Sequence, residues 1–396
     1  MARHVRKLVS AQRDLLGVEA IAALEAARQS IEDALRQRAG REELARRMRS
    51  MEEAAGQWLR PYPHASLREN FEVLLVAIVV AMGIRTFIAQ PFKIPTGSMQ
   101  PTLYGVTSSP DQTRPLRFPT ALPTEADFEM PNRLVRFLEF WWRGVGYSHV
   151  VAKADGALAD DTQDAPVRFL LFNLYQTFHI GGVKHTVWFP PDQMLRRAGI
   201  VPGAMMARRQ FRRGDTVVKL RSISGDHLFV DRISYNFRRP QRGEIVVFDT
   251  KDIAGMETSQ HGQFYIKRLV ALGGERVSIG DDRHLRIDGR RLDSSTPRFE
   301  RLYGFGPDQP PTDSRYSGHI NGRVDPHSAR LFPDPSTEFQ VPDDHYMVMG
   351  DNTVSSYDSR GWGPFPRQNV IGRAWLVYWP FGAQLDRPSR FGWGIR

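Results

Sequence analysis

Three segments hold residues whose types and spacing suit hydrolytic chemistry. The first is Gln90-Pro-Phe-Lys-Ile-Pro-Thr-Gly-Ser-Met-Gln-Pro-Thr-Leu103, with Ser98 after Gly97 and between Pro95 and Pro101. Proline fixes φ and removes backbone donors, and glycine admits unusual backbone angles, so Ser98 sits on a tight, preset loop suited to an exposed nucleophile. On its own a Gly-Ser pair is an ordinary turn. A nucleophilic serine also needs a base. No histidine stands in a recognisable triad context, Gly-x-Ser-x-Gly is absent around Ser98, and Ser-x-x-Lys fails there because position 101 is proline. The second segment, Tyr265-Ile-Lys-Arg-Leu-Val270, offers the alternative. Strand alternation puts Lys267 on the face opposite Ile266 and Arg268. If that face is interior, desolvation lowers the lysine pKa and makes the neutral amine a base. An isolated strand lysine more often faces solvent. The third is Met349-Gly-Asp-Asn-Thr-Val-Ser-Ser-Tyr-Asp-Ser-Arg-Gly-Trp-Gly363. Ser355, Ser356 and Ser359 can donate to an amine, and Asp358 with Arg360 can form an ordering pair; alone, the run is an Asx/Ser turn cluster.

The elements that must position these residues follow from patterning. Residues 71–88 form the one apolar run that suits a membrane span. Its uninterrupted core, Val73 to Ile84, is shorter than the roughly 20 residues a bilayer requires, and extension to 71–88 admits Glu72 and Arg85 near the ends. A buried core helix is the alternative. Arg60 and Arg68 on one side and Arg85 and Lys93 on the other barely orient it. Residues 1–60 read as helical, with Leu15, Val18, Ile21, Leu24, Ile31 and Leu35 near helical spacing. Gly40 divides them into an expected amphipathic pair rather than a coiled coil, and Pro61-Tyr-Pro63 breaks the second helix. Residues 106–213 read as an irregular inserted subdomain. Its aromatic runs 134–142 and 167–175 suit either its core or a membrane interface, and core is expected. From Gly214 onward, short β-branched and aromatic runs alternate with turns, as in a sandwich or barrel. Residues 303–343, rich in Pro, Asp, Gly and Ser, read as a second excursion.

Composition narrows the chemistry. The 396 residues contain no cysteine, which removes disulfides, thiolate catalysis and cysteine-ligated metal. There is no HExxH, and the 11 histidines are scattered, so no metal or other cofactor is expected. The net charge of +10 comes without a zinc-finger, RNP or basic-heptad pattern. Anionic lipid, not nucleic acid, is the expected partner of that charge.

Together with Gly225-Asp-His-Leu-Phe-Val-Asp-Arg-Ile-Ser234 and Arg242-Gly-Glu-Ile-Val-Val-Phe248, the three segments resemble signal peptidase I, the S26-type Ser/Lys membrane-anchored leader peptidases. The order also matches: anchor, serine box, Gly-Asp-His box, lysine strand, Gly-Asp-Asn box. The resemblance covers residues 70–105, 214–280 and 345–380. It implies a mainly β fold: a two-sheet catalytic body (89–105 and 214–396) with large insertions (106–213 and 303–343), preceded by N-terminal helices (1–60) and a transmembrane anchor (71–88). It makes Ser98 the nucleophile, Lys267 the general base, and Thr96 with the Ser98 N–H the oxyanion donors. Ser356 takes the position that orients the lysine. Arg268, Asp358 and Arg360 match charged residues that hold the site together, and Phe92, Ile94, Met99, Leu103, Tyr265 and Ile266 match substrate-pocket positions. Two departures stand out: Thr96 occupies a position where serine is commoner, and Thr353-Val354-Ser355 replaces Arg-Asp-Asn, which leaves room for a one-residue slip at Ser356. The implied activity is serine endopeptidase removal of signal peptides from exported preproteins, with cleavage after small residues. Lipid and proximity to the secretion machinery are the other implied partners. The implied location is the bacterial cytoplasmic membrane, with the catalytic body on the extracytoplasmic side. Two rivals are a self-cleaving SOS-repressor-like Ser/Lys protease and a catalytically inactive membrane-tethered β scaffold.

Overall fold

The computed structural model describes residues 2–59, 65–109, 128–169, 172–200, 210–306, 314–384 and 387–392. The chain forms two compact units, residues 1–81 and 82–396. The predicted Pro61–Pro63 break and Arg60 lie outside the described residues, as do parts of both predicted insertions.

Residues 2–59 hold three helices where the sequence reading expected two: α1 (Ala2–Ala11), α2 (Val18–Arg36) and α3 (Arg41–Trp58). Gly40 caps α3 as expected, and Gly17 caps α2 in the same extended conformation, so each glycine ends a helical run. Val5, Leu24, Ile31 and Met51 form the core of this unit. Leu15, Val18 and Leu35, expected on the buried stripe, are exposed. Helix α4 (Ala65–Gly83) runs on through a π-helical turn, Ile84–Ile88. The stretch Glu69–Ile88 is long and apolar enough to cross a membrane, and none of it is buried. Within this chain the helix is therefore not packed as a core helix.

The second unit is mainly β. A seven-stranded antiparallel sheet runs in the order Ala89–Lys93, His227–Asp231, Val370–Trp379, Ile245–Asp249, Phe264–Ala271, His345–Met349, Phe365–Pro366. The β-branched run of Ile245–Asp249 is buried on both faces: Ile245 and Val247 pack with Ile94, Leu228 and Val377, while Val246 and Phe248 pack with Leu269, Val348 and Phe365. A strand buried on both faces reads as a continuous apolar run without alternation. A second, four-stranded sheet around Arg276–Ile279 shares a core with Met347 and Met349 of the first. The excursion 303–343 is tied down by Tyr303 and Phe332 in that same core.

The first insertion is folded. Among the described residues it contains α5 (Arg133–Arg143), a hairpin pair built on Phe172–Ile180, and a core of Phe178, Ile180, Met194, Leu195 and Phe211. Strand Thr216–Ile223 pairs with Thr107–Ser109 and Val145–Val151, so the insertion's packing continues past residue 213. The expectation that run 134–142 is core fails: Leu134, Phe137, Leu138, Trp141 and Trp142 are exposed. In run 167–175, Val167 and Phe169 are exposed as well.

Phe248 is fully buried and stacked on Phe365 at 4.3 Å between ring centroids. Phe248→Ala is expected to destabilise the β unit by about 3–5 kcal/mol through lost burial and a residual cavity. Denaturant unfolding of purified protein in detergent, followed by tryptophan fluorescence, measures this.

Candidate active site

Ser98 stands on the loop that leaves strand Ala89–Lys93, and Lys267 stands in the middle of strand Phe264–Ala271. The two residues are 169 positions apart in sequence, yet Ser98 Oγ and Lys267 Nζ lie 2.6 Å apart. Both are buried. Lys267 pairs across the sheet with Val246, and its amine also lies over the Tyr265 ring. Burial pushes the Lys267 amine down to about 8; Asp358 opposes the shift and Arg360 adds to it. When the amine is neutral it can accept the Ser98 O–H proton, which is the arrangement a serine needs in order to attack a carbonyl. No histidine bonds to either residue among the described residues. Burial drives both His227 and His319 down to about 3, which keeps them neutral.

Two buried ion pairs fix the frame around the dyad. Arg268 donates to Asp351 through Nε (2.8 Å) and Nη2 (2.6 Å), and its Nη1 donates to the Gly243 and Arg298 carbonyls. Thr102 Oγ1 donates to the same Asp351 carboxylate at 2.5 Å. The serine loop, the lysine strand and the Gly-Asp-Asn loop thus meet on one carboxylate. Arg360 donates to Asp358 through Nε (2.9 Å) and Nη2 (2.8 Å), and through Nη1 to the Thr353 carbonyl and hydroxyl. Arg360 and the Gly350 N–H hold the Asp358 carboxyl below its ordinary range against the effect of burial. Asn352 then grips the nucleophile turn: its N–H donates to the Ser98 carbonyl and its Nδ2 to the Gly97 carbonyl, each at 3.0 Å. A Cβ on Gly350 would lie 2.4 Å from the Ser98 carbonyl oxygen, and one on Gly105 would lie 2.1 Å from the Thr96 carbonyl, so both loops require bare backbone at these contacts.

The family model for signal peptidase, peptidase S26, matches residues 67–107 and 204–379, more than half of the chain. The chain belongs to the peptidase S26 family. It is 32% identical over 155 residues to a probable signal peptidase I-2 of Synechocystis sp., covering 39% of this chain and 56% of that protein. It is 33% identical to signal peptidase I of Leptolyngbya laminosa, covering 39% and 61%. The chain thus spans less than two thirds of the length of these relatives. Among solved structures, a signal peptidase I from Enterococcus faecalis is 26% identical over 34% of this chain and 97% of its own, with a TM-score of 0.23.

The other S26 positions read from sequence fall in three places. Phe92, Ile94, Met99, Leu103 and Ile266 share one apolar cluster beside the serine loop; Ile94, Met99 and Leu103 are buried, while Phe92 and Ile266 are half-buried at its edge. Tyr265 packs on the other face, against Phe248, and donates its hydroxyl to Gln260 Oε1 at 2.6 Å. Thr96 is exposed next to the Ser98 turn, and among the described residues neither its hydroxyl nor the Ser98 N–H bonds to a protein group. Ser356 is buried against Gly350 beside Asp358, and among the described residues its Oγ makes no hydrogen bond to Lys267. Asp351, Asn352 and Thr102 were missed in the sequence, although all three lie inside the quoted boxes. Tyr316, in the second excursion, also reaches the serine loop and donates to Gln100 Oε1 at 3.1 Å.

Lysine selectively labelled at its ε carbon should show one resonance that titrates near 8 and is absent in Lys267→Met. The shift also fixes a stability slope. Below about 8 the buried amine is a cation and carries its full desolvation penalty. Between there and the unfolded-state value the native amine is neutral while the unfolded one still binds a proton, so stability rises with pH. Lys267→Met should therefore unfold at higher denaturant concentration than the parent at pH 7, and that gap should close as the pH rises through this window.

Proposed function

We propose that this protein is a membrane-anchored serine endopeptidase that removes signal peptides from exported preproteins, with Ser98 as nucleophile and Lys267 as general base. The observation that carries the proposal is the 2.6 Å contact between Ser98 Oγ and a buried Lys267 amine, within a chain of the S26 family. Neutral Lys267 takes the Ser98 hydroxyl proton as Oγ adds to the scissile carbonyl. The Ser98 N–H and the Thr96 hydroxyl, both without protein partners among the described residues, donate to the oxyanion. The protonated lysine returns its proton to the leaving amine, which leaves an acyl-enzyme on Ser98. Lys267 then deprotonates a water for deacylation. Arg268, Asp358 and Arg360 act by holding the three loops in place, and Ser356 turns its hydroxyl toward the amine during the cycle. Phe92, Ile94, Met99, Leu103 and Ile266, with Tyr265 behind the strand, shape an apolar wall that favours small residues one and three before the scissile bond.

The helix Glu69–Ile88 supports the anchor assignment. Only ten residues separate Ile88 from Ser98. Such a tether keeps the nucleophile at the bilayer surface, where a signal peptide's cleavage site emerges from its own apolar segment. The location proposed is the bacterial cytoplasmic membrane, with the β unit on the extracytoplasmic side.

Purified protein in vesicles should cleave an exported precursor with small residues at those two positions. Ser98→Ala and Lys267→Ala should each abolish that cleavage while the protein still folds cooperatively; near-normal activity in either variant overturns the dyad. The parent's kcat/KM should rise with pH to a plateau above about 8, the pH at which Lys267 loses its proton, and Lys267→Arg should be inactive. Thr96→Val, equal in volume but without the hydroxyl, should slow cleavage by about 10²–10³, while Thr96→Ser retains most activity. Equal rates for the parent and Thr96→Val would remove Thr96 from the oxyanion site.

A further inference from the structure

Helix α5 is mounted inside out. Its apolar stripe, Leu134, Phe137, Leu138, Trp141 and Trp142, faces solvent, with Leu134 68% and Trp142 62% exposed. Its polar edge faces the protein: Arg136 and Glu139 are half-buried, and Glu139 accepts from the Tyr147 hydroxyl at 2.7 Å. A surface helix of a globular protein has the opposite arrangement. The mounting is rigid. Asn132 caps the N-terminus by accepting from Val135 N at 2.9 Å, and Gly144 ends the helix at φ 67°. Trp379 Nε1 donates to the Trp141 carbonyl at 2.8 Å. The exposed stripe also extends beyond the helix. Trp142 packs on exposed Phe381, which packs on exposed Phe391, and half-buried Phe140 joins the stripe to exposed Phe189. Helix α5 and all three of these phenylalanines lie outside the residues matched by the family model, so membership in S26 says nothing about this surface.

We infer that α5 and the aromatic residues continuous with it form a membrane-interface surface that seats the insertion in the headgroup and upper acyl layer of an anionic bilayer. Two observations select lipid as the occupant. The first is composition: tryptophan, phenylalanine and leucine on one face, bracketed by exposed Arg133 and Arg143 at the helix ends, is the pattern of helices that lie in an anionic lipid interface. The second is reach. Strand Ala89–Lys93 starts immediately after Ile88, and Lys93 at its far end pairs with Asp192 of the insertion at 2.9 Å. A five-residue strand spans about 17 Å, so Lys93, which shares a cavity wall with Phe140 of α5 and with Phe189, lies about that far from the end of the apolar helix. The inference rests on the reading of Glu69–Ile88 as a membrane span.

The test exploits the absence of native cysteine. Full-length Leu138→Cys carries an environment-sensitive fluorophore at one site only, and Glu338→Cys, at an exposed polar position of the β unit, serves as control. In phosphatidylglycerol–phosphatidylethanolamine vesicles, the label at 138 should shift its emission to the blue and be quenched by lipids brominated on their acyl chains, whereas the label at 338 should emit as in water. Aqueous emission at both sites overturns the inference. So does a blue shift at 138 in lipid-free detergent that grows with protein concentration, because that outcome assigns the surface to a second copy of the chain. The same samples are assayed on a soluble peptide substrate. Cleavage with an aqueous label at 138 defeats this inference alone, and a lipid-buried label without cleavage defeats the protease reading alone. Leu134→Glu/Leu138→Glu should abolish the lipid signal of a label at exposed Phe137→Cys, and should lower cleavage of vesicle-bound precursor several-fold with soluble-peptide cleavage unchanged.

Discussion

A lysine amine serves as a base near neutral pH only if its ammonium form is made unfavourable, and burial is the means found here. The same burial forbids a carboxylate in direct contact, because an ion pair would restore the charge. The structure meets both demands by pairing every neighbouring charge with another residue. Arg268 spends its fork on Asp351, and Arg360 spends its fork on Asp358. Among the described residues Lys267 is left with one hydrogen-bond partner, the Ser98 hydroxyl. Buried ion pairs of this kind contribute little net stability, since desolvation offsets most of their attraction. Their value here is positional and electrostatic: they fix three loops without holding the amine in its charged form.

Those pairs also explain why the site draws on such distant parts of the chain. Asp351 alone ties together the strand of Lys267, the loop after Ser98 and the turn that carries Asn352. Thr353 accepts from the Ile320 N–H as well as from Arg360. The second excursion therefore contributes to the frame, and Tyr316 extends its influence to Gln100, two residues beyond the nucleophile. Replacement of the family's Arg-Asp-Asn by Thr353-Val354-Ser355 fits this arrangement. A threonine at 353 can serve both Arg360 and a backbone donor in a fully buried position where a charged side chain would require a further partner.

Much of this was legible in the sequence for physical reasons. Strand runs such as Ile245–Asp249 are apolar enough to require burial, and Ser98 and Lys267 were reached by elimination of other bases together with a five-box resemblance. Asp351, Asn352 and Thr102 were not found because their roles are pairings between segments up to 255 residues apart. No local pattern encodes such a pairing. The N-terminal helices show a second limit. Helical spacing correctly marked Leu24 and Ile31, but it also marked Leu15, which precedes α2, and Val18 and Leu35 at the two ends of α2, which are exposed.

Helix α5 shows the same limit from the other side. Periodicity reveals that a helix has an apolar face; it is silent on whether protein covers that face. The usual answer is the core, because water is the usual alternative. In a chain with an apolar helix ending five residues before Lys93, a bilayer is a second apolar phase within reach, and the insertion can satisfy α5 without burying it in protein. The polar residues turned inward then acquire a purpose. Glu139 and Tyr147, hydrogen-bonded to one another, let a helix dock on a sheet through its hydrophilic edge, which leaves the whole apolar stripe free for lipid. The aromatic layer would then set the height of the β unit above the membrane, while the short strand from Ile88 sets its lateral position, and together the two contacts would hold the Ser98 loop at a defined depth relative to an emerging peptide.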